Sequence, residues 1–327
     1  MKKTIYIGLA VIIALMVCGC QPEIQTYDLK LVFQDTGEFS ADAIIRAAEE
    51  IELLTGGNVI ISVIPNSECG VIDPEYEVVH GDFDMAFLRA PTQSGYMDEI
   101  VYLPFYVTNY DEGNAVWTEG SRFYSVYDEI QASKGIKLLG FFPAGFMGLG
   151  VNDMNPDKFF DFTIAKDELL RIPEIDTFKI MTETMGFRAA EFMFSDVAYA
   201  FKTDVIQGWI GGGAQTNYEE FRDLIECYVD YRYANNLFTA IINMEVFDSL
   251  PSEYQDIMMR AFNLESQAAI EERDILDERA LADLADAGIT VIVPSPEERD
   301  EMAAYMREHT WPLLEGKFGK DVIDSLK

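Results

Sequence analysis

The sequence predicts an α/β protein of two lobes that are tied together by a long helical segment. Strand-like and helix-like segments alternate on both sides of residue 150, which is the pattern of α/β lobes. The segment 252–287 contains neither proline nor glycine and can therefore hold a long helix. The chain has 327 residues, more than the roughly 250 at which a single core stops growing.

The first twenty residues, "MKKTIYIGLAVIIALMVCGC", have the layout of a signal peptide, since two lysines precede an uncharged apolar run. The run is shorter than the roughly 20 residues of a membrane-spanning helix. Its end, "VCGC", resembles a bacterial lipobox. The resemblance implies removal of residues 1–19, lipidation of Cys20, a tether over 20–26, and a protein anchored by lipid on the outer face of a cell membrane. An ordinary cleaved signal and an uncleaved anchor are the alternatives.

The body opens with a βαβ unit. "YDLKLVF" predicts a strand, and the spacing of Ile44, Ala47, Ala48, Ile51 and Leu54 predicts a helix. "NVIISVIPN" follows as a second strand, which makes the pair parallel with a right-handed crossover. "FDMAFL" at 83–88 and "GIKLLGFF" from 135 predict two more strands, with a helix over 121–132 between them.

The second half continues the alternation. After Pro173, "TFKIMTETMG" and "SDVAYAFKTD" predict helices with the extended segment "RAAEFMF" between them. "VIQGWIGG" predicts a strand that enters a glycine-rich bend.

The C-terminal third is mainly helical. We predict one or two helices with a total length of roughly 55 Å. Pro251 suits the first helical position, and Gly288 suits the position just after the last helical residue. "ITVIVPSPEERDEM" then predicts a strand and a helix that begins with a capping box of Ser295 and Glu298. A helix of this length exceeds one small lobe, so we expect it to cross both.

The charge balance excludes some partners. The 57 acidic residues against 24 basic ones give a formal net charge of -33, which opposes binding to nucleic acid or to an anionic membrane surface. Hydrophobic residues make up 49% of the chain, so the excess acid is interpreted as a solvated surface around a real core rather than as disorder.

The cysteines and histidines give little indication of a disulfide or a metal site. Cys69 and Cys227 could form a disulfide outside the cell, but their apolar contexts favour two buried small hydrophobic residues. His80 and His309 are the only histidines and form no pair at ligand spacing. We therefore predict neither a metal site nor a cofactor.

Six segments in order carry a family resemblance. They are "FFPAGF" at 141–146, "LLRIPE" at 169–174, "FMFSDVAYAF" at 192–201, "VIQGWIGG" at 205–212, "FDSLPSEYQDIM" at 247–258 and "LADAGITVIVPSPEE" at 284–298. In this order the chain resembles the extracytoplasmic solute-binding proteins of TRAP transporters, the dicarboxylate-binding type. The similarity extends from Leu29 to the end of the chain.

The resemblance implies a periplasmic-binding-protein-like clamp that closes on an organic acid and delivers it to the membrane permease subunits. It also implies the division of the chain. Lobe I would comprise 27–148 and about 237–276, and lobe II would comprise 149–236 and about 277–327.

Arg171 in "LLRIPE" matches the arginine that binds the ligand carboxylate through two hydrogen bonds in this family. A guanidinium has the planar fork that fits a carboxylate, and it stays charged in a closed cleft. The alternative is an arginine at a strand end that pairs with a nearby surface acid.

The sequence departs from the family at two positions. Met147 stands where a second arginine often follows "GF", and Gly211 aligns with an asparagine that often helps to hold the carboxylate. Phe194 is retained, while Gln34 and Arg89 fall at strand ends that face the cleft in the family. Phe194 and Met147 could equally be core residues, and Arg89 a solvent-facing cation.

Trp209 lies among glycines in "GWIGGGAQTNY", a combination that suits a pocket for a bulky or ring-bearing acid. A tryptophan packed in a lobe core is the alternative. The loss of two polar contacts beside an added aromatic argues against a small dicarboxylate.

Other classes of function have less support. The sequence contains no G-x-S-x-G, no H-E-x-x-H and no phosphate-binding loop, so we do not predict an enzyme. A ligand sensor that reports to a membrane receptor remains open beside the transport subunit.

Overall fold

The computed structural model describes residues 25–34, 41–69, 72–90, 97–152 and 157–327. The predicted signal segment and Cys20 lie outside the described residues. The strands are β1 (Tyr27–Phe33), β2 (Val59–Pro65), β3 (Met85–Arg89), β4 (Ile136–Val151), β5 (Leu169–Ile172), β6 (Arg188–Glu191), β7 (Gly208–Gly213), β8 (Cys227–Val229), β9 (Asn235–Asn243) and β10 (Thr290–Ile292). The α-helices are α1 (Asp42–Leu54), α2 (Pro74–His80), α3 (Tyr110–Trp117), α4 (Arg122–Ala132), α5 (Asp157–Phe160), α6 (Asp176–Thr184), α7 (Val197–Lys202), α8 (Ala214–Thr216), α9 (Met244–Ser249), α10 (Ser252–Asp286), α11 (Pro296–His309), α12 (Trp311–Phe318) and α13 (Lys320–Ser325). Short 3-10 turns cover Asn66–Glu68, Met97–Tyr102 and Phe194–Asp196.

The predicted βαβ unit is present. Strands β1 and β2 are parallel and pair over their whole length. Helix α1 buries Ile44, Ala47 and Ile51 against them, as its spacing predicts, whereas Leu54 is exposed. Gly56 and Gly57 follow the C-cap Thr55 with φ values of 63° and 82°, a left-handed conformation that suits glycine and ends the helix.

Two groups of strands share β4. The first group has the order β2-β1-β3-β9-β4, and the second has β4-β7-β5-β6 with β8 and β10 beside it. The first half of β4 pairs with β9, and its last residues pair with β7 and β8. The strand is therefore longer than the sequence predicts, because it continues through Gly145 and Gly148 into the second group.

Helix α10 is one continuous helix of 35 residues, about 52 Å long. Its first half buries Met258 and Phe262 in the core beside β1 and β2, and its second half buries Ala280 and Leu284 in the core beside Trp209. The prediction of a helix that crosses both lobes is confirmed. Its start differs slightly from expectation, since Pro251 occupies the N-cap rather than the first helical position.

The C-terminal helices return to the first half of the chain. Helix α11 begins with the predicted capping box of Ser295 and Glu298. In α12, the Trp311 Nε1 donates to the Pro104 carbonyl across 2.9 Å, and the Lys317 ammonium lies 2.6 Å from the buried Glu99 carboxylate.

The residue limits of lobe I and lobe II that the sequence analysis gives stay a prediction.

Within the described ranges, Cys69 and Cys227 form no disulfide; Cys227 is buried and Cys69 is partly buried. This agrees with their interpretation as small hydrophobic residues. Within the described ranges, no helix is both long and apolar enough to span a membrane, and no cluster of His, Cys, Asp and Glu side chains could hold a metal ion.

Candidate ligand-binding site

Arg171 lies in the short strand β5, between β6 and β7. Its neighbours Leu170 and Ile172 point into the main core and are fully buried. Because side chains alternate along a strand, Arg171 points to the opposite face, the face that carries Trp209. Arg171 is nevertheless only 5% exposed.

The Arg171 guanidinium is held by backbone carbonyls. Its Nε donates to the Phe192 carbonyl across 2.8 Å, and its Nη1 lies 3.5 Å from the Ile210 carbonyl oxygen. Within the described part of the chain it makes no ion pair. Burial lowers its pKa to about 10, while the charge of Glu174 acts in the opposite direction. The guanidinium is therefore still charged at neutral pH, and a buried cation without a counterion is a place where an anion gains binding energy.

Gly211 lies directly beside this guanidinium. A Cβ at this position would lie 3.2 Å from Arg171 Nη1 and 3.5 Å from Pro173 Cδ, and the backbone φ of +129° disfavours other residues. The Gly211 N–H donates to the hydroxyl of Tyr233 across 3.0 Å. A side chain here would press on the arginine, so the glycine keeps the space beside Nη1 open.

Trp209 is a core residue. It is 1% exposed, its ring centroid lies 4.6 Å from that of Phe221, and its Nε1 donates to Asn217 Oδ1 across 2.8 Å. The indole packs into the core formed by α7 and the end of α10, as the core interpretation of this motif predicts, and its role at the ligand stays a prediction.

Phe194 supplies the exposed aromatic surface instead. Its side chain is 48% exposed, and its ring contacts Trp209 and Phe221 edge-on at centroid distances of 6.0 Å and 5.7 Å. Trp209 thus supports Phe194 from the core side. Phe192, whose carbonyl binds Arg171, is two residues away, so the exposed ring and the guanidinium belong to the same region.

Met147 is buried in the main core at 2% exposure. Its backbone N–H donates to the Ala234 carbonyl across 2.8 Å, and it pairs with Gly213 in the sheet. The structure therefore places it as a core residue.

Gln34 and Arg89 lie together in the first strand group. Gln34 Oε1 accepts from the Arg89 backbone N–H across 2.8 Å, and the Arg89 guanidinium lies 5.5 Å from the ring centroid of Phe238. Both line a cavity of about 980 Å³ that is also walled by α2 and α4. Arg171 does not line this cavity. The structure thus brings Arg171, Gly211 and Phe194 together over Trp209, and brings Gln34 and Arg89 together on the other strand group.

Tyr233 contacts Gly211 in a way that the sequence does not reveal. It lies 22 residues from Gly211 along the chain, in the connection between β8 and β9. Nothing in "YVDYRYANN" indicates which of its tyrosines meets the glycine-rich bend.

A family model for Bacterial extracellular solute-binding protein, family 7, matches residues 21–313 of this chain. The chain belongs to this family. Among curated proteins, no sequence matches it.

Solved structures show that this family 7 protein has the two-lobe fold of TRAP periplasmic solute-binding proteins. One from Ochrobactrum anthropi is 19% identical with a TM-score of 0.80, covering 93% of this chain and 94% of its own. One from Desulfovibrio salexigens with bound orotic acid is 18% identical with a TM-score of 0.74, covering 92% and 97%. One from Shewanella oneidensis with bound succinate is 18% identical with a TM-score of 0.69, covering 92% and 98%. The predicted two-lobe α/β fold is confirmed.

Proposed function

We propose that this protein is an extracytoplasmic receptor that holds an organic acid by its carboxylate between two lobes and delivers it to a TRAP-type membrane transporter. Membership of a solute-binding family supports the receptor role. Structural neighbours bind acids such as orotic acid and succinate, which supports the class of ligand.

The state of Arg171 carries this proposal. Burial would be costly for a guanidinium whose hydrogen-bond partners, in the described part of the chain, are backbone carbonyls alone. A ligand carboxylate would supply the missing counterion through two parallel hydrogen bonds. Part of the binding energy would then come from relieving an unpaired buried charge, so binding favours the closed clamp.

The other half of the site would come from the first strand group. Gln34 follows β1 and Arg89 ends β3, and in an α/β sheet ligands bind beyond the carboxyl ends of the strands. Closure would bring these two residues towards Arg171 and Phe194. In this arrangement Trp209 supports Phe194, Gly211 leaves room beside the guanidinium, and Met147 contributes from the core.

Attachment to the membrane is the second part of the proposal. A lipid on Cys20 would keep the receptor beside its transporter after removal of residues 1–19. The short tether from 20 to 26 would join the lipid to β1.

The ligand itself is the first test. Native mass spectrometry of the purified mature protein should detect a retained small acid. Calorimetry with that acid should then show a loss of at least about 30-fold in Arg171→Lys and in Arg171→Ala, since breaking a buried charge-assisted contact costs about 2 to 5 kcal/mol.

Arg46→Ala is the control for the Arg171 variants. Its guanidinium is exposed on α1 and binds Glu265 at 2.6 Å, so its loss should leave affinity unchanged. Undiminished affinity in a folded Arg171→Ala variant would refute the proposed carboxylate site.

A further inference from the structure

A single peptide unit connects Arg171 with Tyr233. The carbonyl oxygen of Ile210 lies 3.5 Å from Arg171 Nη1, and the N–H of Gly211, the other end of the same peptide, donates to Tyr233 Oη across 3.0 Å. The negative, carbonyl end of this peptide thus faces the guanidinium, and the positive, N–H end faces the tyrosine hydroxyl. The orientation of the peptide therefore determines whether a carbonyl or an N–H faces the arginine.

Tyr233 is itself firmly held. Its side chain is fully buried, its ring contacts Phe178 edge-on at a centroid distance of 6.1 Å, and its carbonyl accepts from the Phe105 N–H across 2.7 Å. Burial raises the pKa of its hydroxyl well above 10. The hydroxyl therefore stays neutral and offers a fixed oxygen to Gly211.

The peptide needs this restraint because one of its residues is glycine. Gly211 has a φ of +129°, and glycine has the widest choice of backbone conformations. Without the Tyr233 oxygen, the Gly211 N–H loses its acceptor, a change that costs about 1 to 3 kcal/mol where the group stays buried. Rotation of the peptide would relieve this loss and would carry the Ile210 carbonyl away from Arg171.

We propose that Tyr233 is a positioning residue for ligand binding, which acts by fixing the Ile210–Gly211 peptide so that Arg171 keeps its orientation towards the acid. The proposal rests on the proposed function, since it takes Arg171 as the carboxylate-binding residue. It adds a residue in the connection between β8 and β9 that acts on Arg171 through the Ile210–Gly211 peptide.

Tyr231 offers a matched control two residues away. It is also fully buried, and its hydroxyl donates to the Phe159 carbonyl across 2.7 Å. Tyr231→Phe and Tyr233→Phe each remove one buried hydroxyl and one hydrogen bond while keeping the ring. Both variants should therefore lose comparable thermal stability, and only one should affect Arg171.

The first readout needs no ligand. Hydrogen exchange of the Arg171 Nε–H is measured by NMR, with the signal assigned by its absence from Arg171→Lys. We expect exchange at least about threefold faster in Tyr233→Phe, because the hydrogen bond from Nε–H to the Phe192 carbonyl breaks more often when the guanidinium is less restrained. In Tyr231→Phe the rate should be unchanged. Equal rates in wild type and Tyr233→Phe would overturn the inference.

The second readout is affinity for succinate and orotate, measured by calorimetry on wild type and both variants. For an acid that binds, Tyr233→Phe should weaken affinity about 3- to 10-fold, as expected for one lost hydrogen bond, and Tyr231→Phe by less than about twofold. The effect should vanish in an Arg171→Lys background, because the two residues act on one contact. An equal loss in both tyrosine variants overturns the inference, whereas intact binding in Arg171→Lys overturns the proposed function instead.

Discussion

The hydroxyl of Tyr110 donates to Oδ2 of Asp277 across 2.6 Å, and this buried bond joins α3 to the last third of α10. The same carboxylate accepts from the Phe146 N–H and from Arg273 Nε, each across 3.0 Å. Arg273 Nη2 in turn donates to Gln215 Oε1 across 2.9 Å. The bonds meet where β4 passes from one strand group to the other, so they tie the long helix to the junction of the lobes.

Tyr110→Phe should therefore lower the free energy of unfolding by about 1.5 to 3 kcal/mol, because the lost bond goes to a buried charged acceptor. Chemical denaturation measures the change. Tyr124→Phe is the control, since that buried hydroxyl donates to the neutral carbonyl of Leu138 across 3.0 Å and should cost only about 0.5 to 1.5 kcal/mol. Equal losses in the two variants would show that the Asp277 charge adds nothing to the bond.

Arg89→Ala should weaken ligand affinity by less than about fivefold, as expected for a partly exposed cation at the edge of the proposed ligand site. The reason is that the Arg89 guanidinium already lies over the Phe238 ring and Gln34 is bound to its backbone. Calorimetry with the co-purified acid provides the measurement. A loss as large as that in Arg171→Ala would instead mean that a second acidic group of the ligand binds at Arg89.

Lys166 predicts a pH dependence of stability. Its ammonium donates to the carbonyls of Asp161, Ile164 and Met185 at 2.8, 3.1 and 2.7 Å. Burial lowers its pKa to about 8, against the opposing charges of Asp161 and Glu168. Since an unfolded lysine titrates near 10.4, the unfolded chain binds more protons between these two values, and this residue makes the free energy of unfolding rise with pH.

The Lys166→Met variant lacks this contribution. The difference in unfolding free energy, wild type minus variant, should therefore increase between about pH 8 and pH 10. Denaturant unfolding of both proteins at intervals of half a pH unit measures it. A difference that stays constant or decreases over this range would contradict a lowered lysine pKa.

Cys20→Ser should release the protein from the membrane. If the thiol carries the lipid anchor, fractionated cells should show the variant in the soluble export fraction and the wild type in the membrane fraction. Cys69→Ser, which changes a free thiol in the body, is the matched control and should stay with the membrane. A Cys20→Ser variant that remains membrane-bound with unchanged mobility would exclude lipidation at this residue.

Local features were predictable from the sequence because they depend on neighbouring residues. The absence of proline and glycine over 252–287 predicts a long helix, and Ser295 with Glu298 predicts the start of α11; both are present. The parallel pairing of β1 and β2 follows from the βαβ spacing alone. Arg171 is notable in the sequence because a cation at the end of an apolar run needs a partner.

What the tertiary structure decided depends on residues that are far apart in the chain. The burial of Trp209 follows from Phe221 and α10 packing over it, while Phe194 takes the exposed position. The continuation of β4 through Gly145 depends on partners in β7 and β8. The hydrogen bond between Gly211 and Tyr233 joins strand β7 to the connection between β8 and β9. No periodicity within either segment predicts this contact, because helix and strand patterns report only which face of an element is buried.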